Sequence, residues 1–197
     1  MKVIGITGGV GSGKSTVLNK IKELYNCEVL YADDAAKELE LPGHKCYEEL
    51  ISLLGEDILD AEGLIDAKKM ATKIYADGTL LEKVNAIIHP AVKIYIMEEI
   101  DRARNERRCD YFFLEAALLI ECGYLDVVDQ MWYIFAREDV RRARLKESRG
   151  YSDEKIDSIM KSQLSEEEFR KSCHVVIDNS GDIELTMSQI SKVTKNL

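Results

Sequence analysis

The 197-residue chain carries 36 acidic against 27 basic side chains, for a formal net charge of −9, and 46% of its residues are apolar. That apolar share can build a substantial core for one compact domain with excursions. The acidic balance excludes broad nucleic-acid binding, which needs a basic face, so any polyanionic ligand must be gathered by local cationic patches. Five cysteines, at 27, 46, 109, 122 and 173, form no C-x-x-C pair, so reduced and mostly buried thiols are expected, with no metal or nucleophilic role. No run approaches the roughly 18 apolar residues of a membrane span, and Met1-Lys2 leads straight into an apolar stretch without the pattern of a signal peptide. A soluble, cytoplasmic protein is expected.

Val3-Ile4-Gly5-Ile6 reads as a buried strand. It runs into Gly8, Gly9, Val10, Gly11, Ser12, Gly13, Lys14, Ser15 and Thr16, which satisfy G-x-x-x-x-G-K-[ST]. Val17, Leu18, Ile21, Leu24 and Tyr25 then cover one face of a helix. A strand, a glycine loop and a helix N-terminus make an anion cradle, because the loop's N–H groups and the positive end of the helix dipole converge on phosphate oxygens. Lys14 supplies a mobile charge for the β- and γ-phosphates, and the Ser15 hydroxyl is placed to ligate Mg²⁺. The stretch implies a nucleoside triphosphate site.

Residues 28–31 read as a second strand, ending at Ala32-Asp33-Asp34. From Ala35 to about Arg108 the pattern is helical, broken at Pro42-Gly43, Gly55, Glu62-Gly63 and Asp77-Gly78. Within it Ile88, Val92, Tyr95, Ile96 and Ile100 form one stripe of a long helix that ends in a basic cluster, Arg102, Arg104, Arg107 and Arg108, suited to the dipole. Further strands follow at Tyr111–Leu114, ending on Glu115, at Met131–Phe135, and at Val175–Ile177, ending on Asp178-Asn179. Strands separated by helical stretches imply a parallel sheet, with ligands at the carboxyl ends of its strands. Asp33, Glu115 and Asn179 fall at those ends.

Asp33 is the candidate general base for an acceptor hydroxyl. Its alternative is an N-cap of the following helix, a role open equally to Asp34. Glu115 is placed for the magnesium or its waters. His89, before Pro90, reads as a helix-boundary residue, and His44 and His174 offer no case. Six cations crowd the thirteen positions 137 to 149. On a helix, Arg137, Arg141 and Arg144 share one face, and Arg142, Lys146 and Arg149 another. A phosphate-covering lid competes there with a solvated basic face.

With these residues in hand, the chain resembles the dephospho-coenzyme A kinase family over nearly its whole length. The resemblance is carried by Thr7 to Thr16, by Tyr31-Ala32-Asp33-Asp34-Ala35-Ala36, and by Val84-Asn85-Ala86-Ile87-Ile88-His89-Pro90. It continues through Glu115-Ala116-Ala117-Leu118-Leu119-Ile120-Glu121, Arg144-Leu145 through Gln163, and Ile177-Asp178-Asn179-Ser180-Gly181. It implies an α/β P-loop kinase fold with a five-stranded parallel sheet. The nucleotide-binding core would comprise residues 1–34, 109–140 and 173–197, with a helical acceptor region at 35–108 and a lid at 141–172. It also implies ATP-dependent phosphorylation of the ribose 3′-hydroxyl of dephospho-coenzyme A. A monomer is the default expectation for a compact fold with its own lid. Asp33 would be the base, Lys14 the γ-phosphate cation, Arg144 a lid contact and Asn179 a neighbour of the adenine pocket, with His89-Pro90 facing the acceptor.

Tyr31, Ala117, Glu115, Ser148 and His174 depart from the family pattern. Tyr31 replaces an Asp, Ala117 a Pro, Glu115 a Walker-B-like Asp and His174 an Asp, while Ser148 stands, beside Arg149, where a second lid Arg is expected. These changes bear on acceptor affinity and lid geometry more than on chemistry. The competing readings are a nucleoside or nucleotide kinase, an ATP-binding relative without activity, and a GTPase-like switch. The switch requires Asn-Lys-x-Asp after a late strand, and the Asn-Lys here, Asn19-Lys20, lies in the cradle's own helix.

Overall fold

A computed structural model describes residues 1–116 and 118–197; Ala117, one of the departing positions, lies outside the described residues. In chain order the elements are β1 (Lys2–Thr7), α1 (Lys14–Leu24), β2 (Cys27–Tyr31), α2 (Ala32–Leu39), α3 (Lys45–Leu54), a 3₁₀ turn (Glu56–Ile58), α4 (Ala67–Ala76) and α5 (Thr79–Glu106). There follow β3 (Tyr111–Glu115), β4 (Gln130–Phe135), α6 (Glu138–Arg149), α7 (Asp153–Lys161), α8 (Glu166–Ser172), β5 (Val175–Asp178) and α9 (Ile183–Thr194). The strands form one sheet in the order β2-β3-β1-β4-β5, with β1 parallel to β3 and β4, and β4 parallel to β5. Central strands covered on both faces must be apolar at successive positions, and Val3, Ile4, Phe113, Leu114, Met131 and Trp132 are fully buried.

Two residues just outside the strands start the ladder. Val3 N–H donates to Asp129 Oδ2 at 2.7 Å, while Asp129 N–H donates to Val3 O at 2.8 Å. One strand further along, Met131 N–H donates to His174 Nδ1 at 2.9 Å, and His174 N–H donates to Met131 O at 2.9 Å. In both cases a side-chain acceptor replaces the missing strand and satisfies a backbone donor at the sheet's rim. Here His174 does what a carboxylate does at position 129.

The chain divides into two compact units, residues 1–29 with 103–197, and residues 30–102. The first holds the sheet except for Leu30 and Tyr31, the last two residues of β2. Its helices α6 to α8 pack beside it partly through Phe169, whose ring stacks on Tyr133 at 4.7 Å. The second unit has its own core of Leu50, Leu54, Ile58 and Val84. Its helix breaks fall at the glycine and proline positions read from the sequence, with one correction. His89 is not at a helix boundary, because α5 runs unbroken through Pro90. The long apolar stripe explains this. Val92, Ile96 and Ile100 are buried on one face, and helical stability in proteins comes mainly from such packing. The helix ends in a Schellman turn, with Arg107 left-handed at φ 52° and Arg108 N–H donating to Ala103 O at 3.1 Å. Its terminal cations are matched by acids, Arg102 by Glu99, and Arg108 by Glu28 and Glu106.

Candidate active site

Where β1 ends, the chain must turn sharply to enter α1, and Gly13 makes the last step. Its φ of +88° is left-handed, and a Cβ there would lie 2.5 Å from Asn179 Nδ2, so a side chain is barred by both conformation and space. The first turn of α1 is Lys14-Ser15-Thr16, with no acidic residue to cancel the dipole. Its leading N–H groups have no intrahelical acceptor, and the Ser15 and Thr16 side chains stand exposed.

Side chains grip the loop by its carbonyls. Asn179, buried directly after β5, donates from Nδ2 to Ser12 O at 2.7 Å and accepts from Thr186 Oγ1 at 3.0 Å. Arg144 on α6 donates to the same Ser12 O at 3.2 Å and to Asn179 O at 2.9 Å. A trans peptide points its C=O and N–H in opposite directions. Holding Ser12 O from outside therefore turns the Gly13 N–H away from Asn179 and Arg144. Lys14 Nζ donates to Gly8 O at 2.8 Å and lies 3.6 Å from Glu115 at the end of β3. The side-chain hydroxyls of Thr7 and Ser12 are buried without a hydrogen-bond partner among the described residues.

The structure thus joins Gly8–Thr16, Glu115, Arg144 and Asn179 in one place. Two further residues, Arg141 and Gln163, reach the loop as well. Arg141 Nε donates to Val10 O at 2.8 Å, and Gln163 Oε1 accepts from Val10 N–H at 3.0 Å. Arg141 had a signal in the sequence, its spacing of three from Arg144. Gln163 had none beyond its place in the family pattern.

The basic run divides by face. Arg142 pairs with Glu138 at 2.8 Å and Asp157 at 2.5 Å, and Lys146 with Asp153 at 2.7 Å. Asp157, then Glu138, raise Arg142 above the ordinary arginine range. Arg141 and Arg144 form no salt bridge among the described residues, and burial lowers the pKa of Arg141. One helix thus carries a loop-facing pair and a separate acid-paired pair. Burial also lifts the Cys173 thiol to about 12, so it stays protonated.

Asp33 and His89 belong to the unit of residues 30–102. Asp33 is the second residue of α2 and exposed, not a strand-end residue, because β2 stops at Tyr31. Neither it nor Asp34 is the N-cap. Tyr31 occupies that position without a side-chain bond that caps the helix, and Asp34 pairs with Lys37 at 3.0 Å.

A glycine loop at the carboxyl edge of a parallel sheet, backed by a helix dipole and leaned on by unpaired arginines, defines a P-loop kinase fold. A shikimate kinase from Acinetobacter baumannii shares that fold, with a TM-score of 0.52 at 14% identity over all of this chain and 94% of its own. The amino-acid sequence narrows the class. The family model described as dephospho-CoA kinase matches residues 2–184, and the chain belongs to that family. A dephospho-CoA kinase of Aquifex aeolicus is 39% identical over 100% of this chain and 98% of its own. One from Corynebacterium diphtheriae is 36% identical, covering 92% and 90%. A solved Thermus thermophilus protein superposes with a TM-score of 0.81 at 30% identity, covering 100% and 97%. These similarities set dephospho-CoA kinase above the nucleoside and nucleotide kinase alternatives.

Proposed function

We propose that the chain transfers the γ-phosphoryl group of ATP to the ribose 3′-hydroxyl of dephospho-coenzyme A. The observation that carries this reading is the pair of arginines without acidic partners leaning on a P-loop, in a chain whose net charge is negative. Phosphoryl transfer asks a protein for positioning and charge stabilisation above all. Lys14 exchanges Gly8 O for the β- and γ-phosphates, and Arg144 meets the charge that develops on the transferred group. Residues Gly8 to Thr16 hold the triphosphate through their N–H groups, with Asn179 bracing the loop beside the adenine end. Asp33 accepts the proton of the attacking hydroxyl. Its carboxylate takes no hydrogen bond or salt bridge from the described residues, which leaves it available as a base. The unit containing His89 receives the acceptor, and helices α6 to α8 act as the lid.

Mg²⁺ takes oxygen ligands and keeps most of its shell for waters and phosphates. The exposed Ser15 hydroxyl and the Glu115 carboxylate fit that donor set and would hold the ion. When bound, it would neutralise charge on the β- and γ-oxygens. No helix among the described residues is long and apolar enough to cross a membrane, and we assign the enzyme to the cytoplasm as a monomer.

A coupled ATP-consumption assay tests the reading. Turnover is expected with dephospho-coenzyme A and not with nucleoside monophosphates. The reverse preference, or no turnover with either, would refute it.

A further inference from the structure

Asn179 and Arg144 hold the second half of the loop by Ser12 O. The first half is held differently, and by residues outside the cradle motif. The Val10 residue is gripped at both of its backbone polar groups from the α6–α8 segment. Its carbonyl accepts from Arg141 Nε at 2.8 Å, and its N–H donates to Gln163 Oε1 at 3.0 Å. Arg141 Nη2 donates to that same Oε1 at 3.2 Å, which closes a ring of three hydrogen bonds. Holding Val10 O toward α6 turns the Gly11 N–H the opposite way, since the two share one trans peptide. Gln163 meanwhile removes the Val10 N–H from the donors a phosphate could use. Gly9 leaves the room. A Cβ there would stand 2.7 Å from Arg141 Cζ and meet the Nη2 atom as well. Gly9 has no positive φ, so space is what excludes a side chain.

We propose that Arg141 and Gln163 are positioning residues that select which N–H groups the first half of the cradle presents to the triphosphate. They act through the Val10 peptides without needing to touch the nucleotide. The proposal rests on the cradle being the ATP site. Gln163 contributes only its oxygen, as an acceptor from both partners. A carboxylate can serve in its place and a methyl group cannot.

The test uses the full chain carrying Arg141→Ala, Gln163→Ala, Gln163→Glu, Gly9→Ala and the double alanine variant. A hydrogen bond involving a charged group, lost from a positioned site, corresponds to about 10- to 100-fold in rate. Arg141→Ala and Gln163→Ala are therefore each expected to lower kcat/KM for ATP about tenfold or more, with KM for dephospho-coenzyme A moving less than about twofold. The double variant should fall no more than about twofold below the worse single one, because both side chains hold one residue. Gln163→Glu keeps the acceptor but pairs a carboxylate with Arg141, so its kcat/KM for ATP should lie between wild type and Gln163→Ala, and Gly9→Ala should reproduce Arg141→Ala.

Amide exchange at Val10, measured without substrates, should speed up at least about tenfold in Gln163→Ala and stay slow in Gln163→Glu. This reading does not depend on turnover. A chain inactive on dephospho-coenzyme A with the expected exchange pattern would sink the proposed function and leave the clamp standing. Multiplicative losses in the double variant would overturn the clamp, as would a Gln163→Glu variant as impaired as Gln163→Ala. So would single variants within twofold of wild type in kcat/KM for ATP.

Discussion

Replacing Asn179 tests whether the loop is held by its carbonyls. The residue is 3% exposed, with one donor on Ser12 O at 2.7 Å and one acceptor for Thr186 Oγ1 at 3.0 Å. In Asn179→Ala both bonds go, each worth a net of about 1 kcal/mol. Neither partner is orphaned. Ser12 O keeps Arg144, and Thr186 Oγ1 keeps Asp178 O and Asp182 O as acceptors. The loss should be about 2 kcal/mol, or about 4–8 °C in melting temperature for a chain of this size. Asn179→Asp is closer in shape and should be worse. It keeps the Thr186 bond but turns a carboxylate oxygen toward Ser12 O in a buried site. The lost bond and the burial of a charge facing an acceptor together cost about 3 kcal/mol or more, with Arg144 offsetting part. Thermal melts followed by circular dichroism near neutral pH should therefore rank wild type above Asn179→Ala, and Asn179→Ala above Asn179→Asp. KM for ATP should rise in the same order, since the Ser12–Gly13 peptide is what the side chain orients. An Asn179→Asp protein as stable as Asn179→Ala would refute the carbonyl-holding argument.

Lys14→Ala should abolish turnover in the coupled assay, because it removes the cation proposed for the β- and γ-phosphates. Asp33→Asn should lower kcat by about 10²–10⁴-fold, the usual worth of a general base, with ATP affinity by calorimetry unchanged; turnover at the wild-type rate would exclude Asp33 as the base. In the second unit, the Lys69 and then the Lys68 backbone N–H groups hold Asp66 below the ordinary aspartate value of 3.8, as its N-cap position on α4 requires. A depressed folded-state pKa contributes stability above the unfolded value and loses it as pH falls through the folded one. Melting temperature should thus drop below about pH 4. Asp66→Asn, which caps without titrating, should flatten that drop, and an unchanged profile would contradict the assignment.

The cradle was fully legible because its chemistry is local: a strand, a glycine spacing and a helix start lie within about twenty consecutive residues. The strands were legible for the same reason, as short apolar runs bounded by polar turns. What escaped was decided by packing across long separations. Pro90 looked like a boundary, yet the buried stripe carries α5 past it. Asp33 and Asp34 looked like rival caps, yet α2 already starts at Ala32, two residues before a cap at Asp33 would allow and three before one at Asp34. His174 offered no case until Met131 was seen to donate to it from the neighbouring strand. Gln163 is a polar residue between two short helices, and nothing nearby in sequence announces a bond to Val10, 153 positions away.

The basic run from 137 to 149 shows how structure separates two uses of the same residue type. A cation used for packing is matched by acids, as Arg142 is by Glu138 and Asp157, and Lys146 by Asp153. Arg141 and Arg144 instead donate to carbonyl and amide oxygens. Those bonds fix the guanidinium groups without neutralising them, so their charge stays available in a partly buried setting where it acts more strongly than in water. Glu115 pairs with Lys14, and no acid pairs with Arg141 or Arg144 among the described residues, which leaves a cationic contribution at the loop within a chain of net charge −9. Such a local field would favour a triphosphate at that place, as the proposed function requires, while the acidic remainder of the surface disfavours other polyanions.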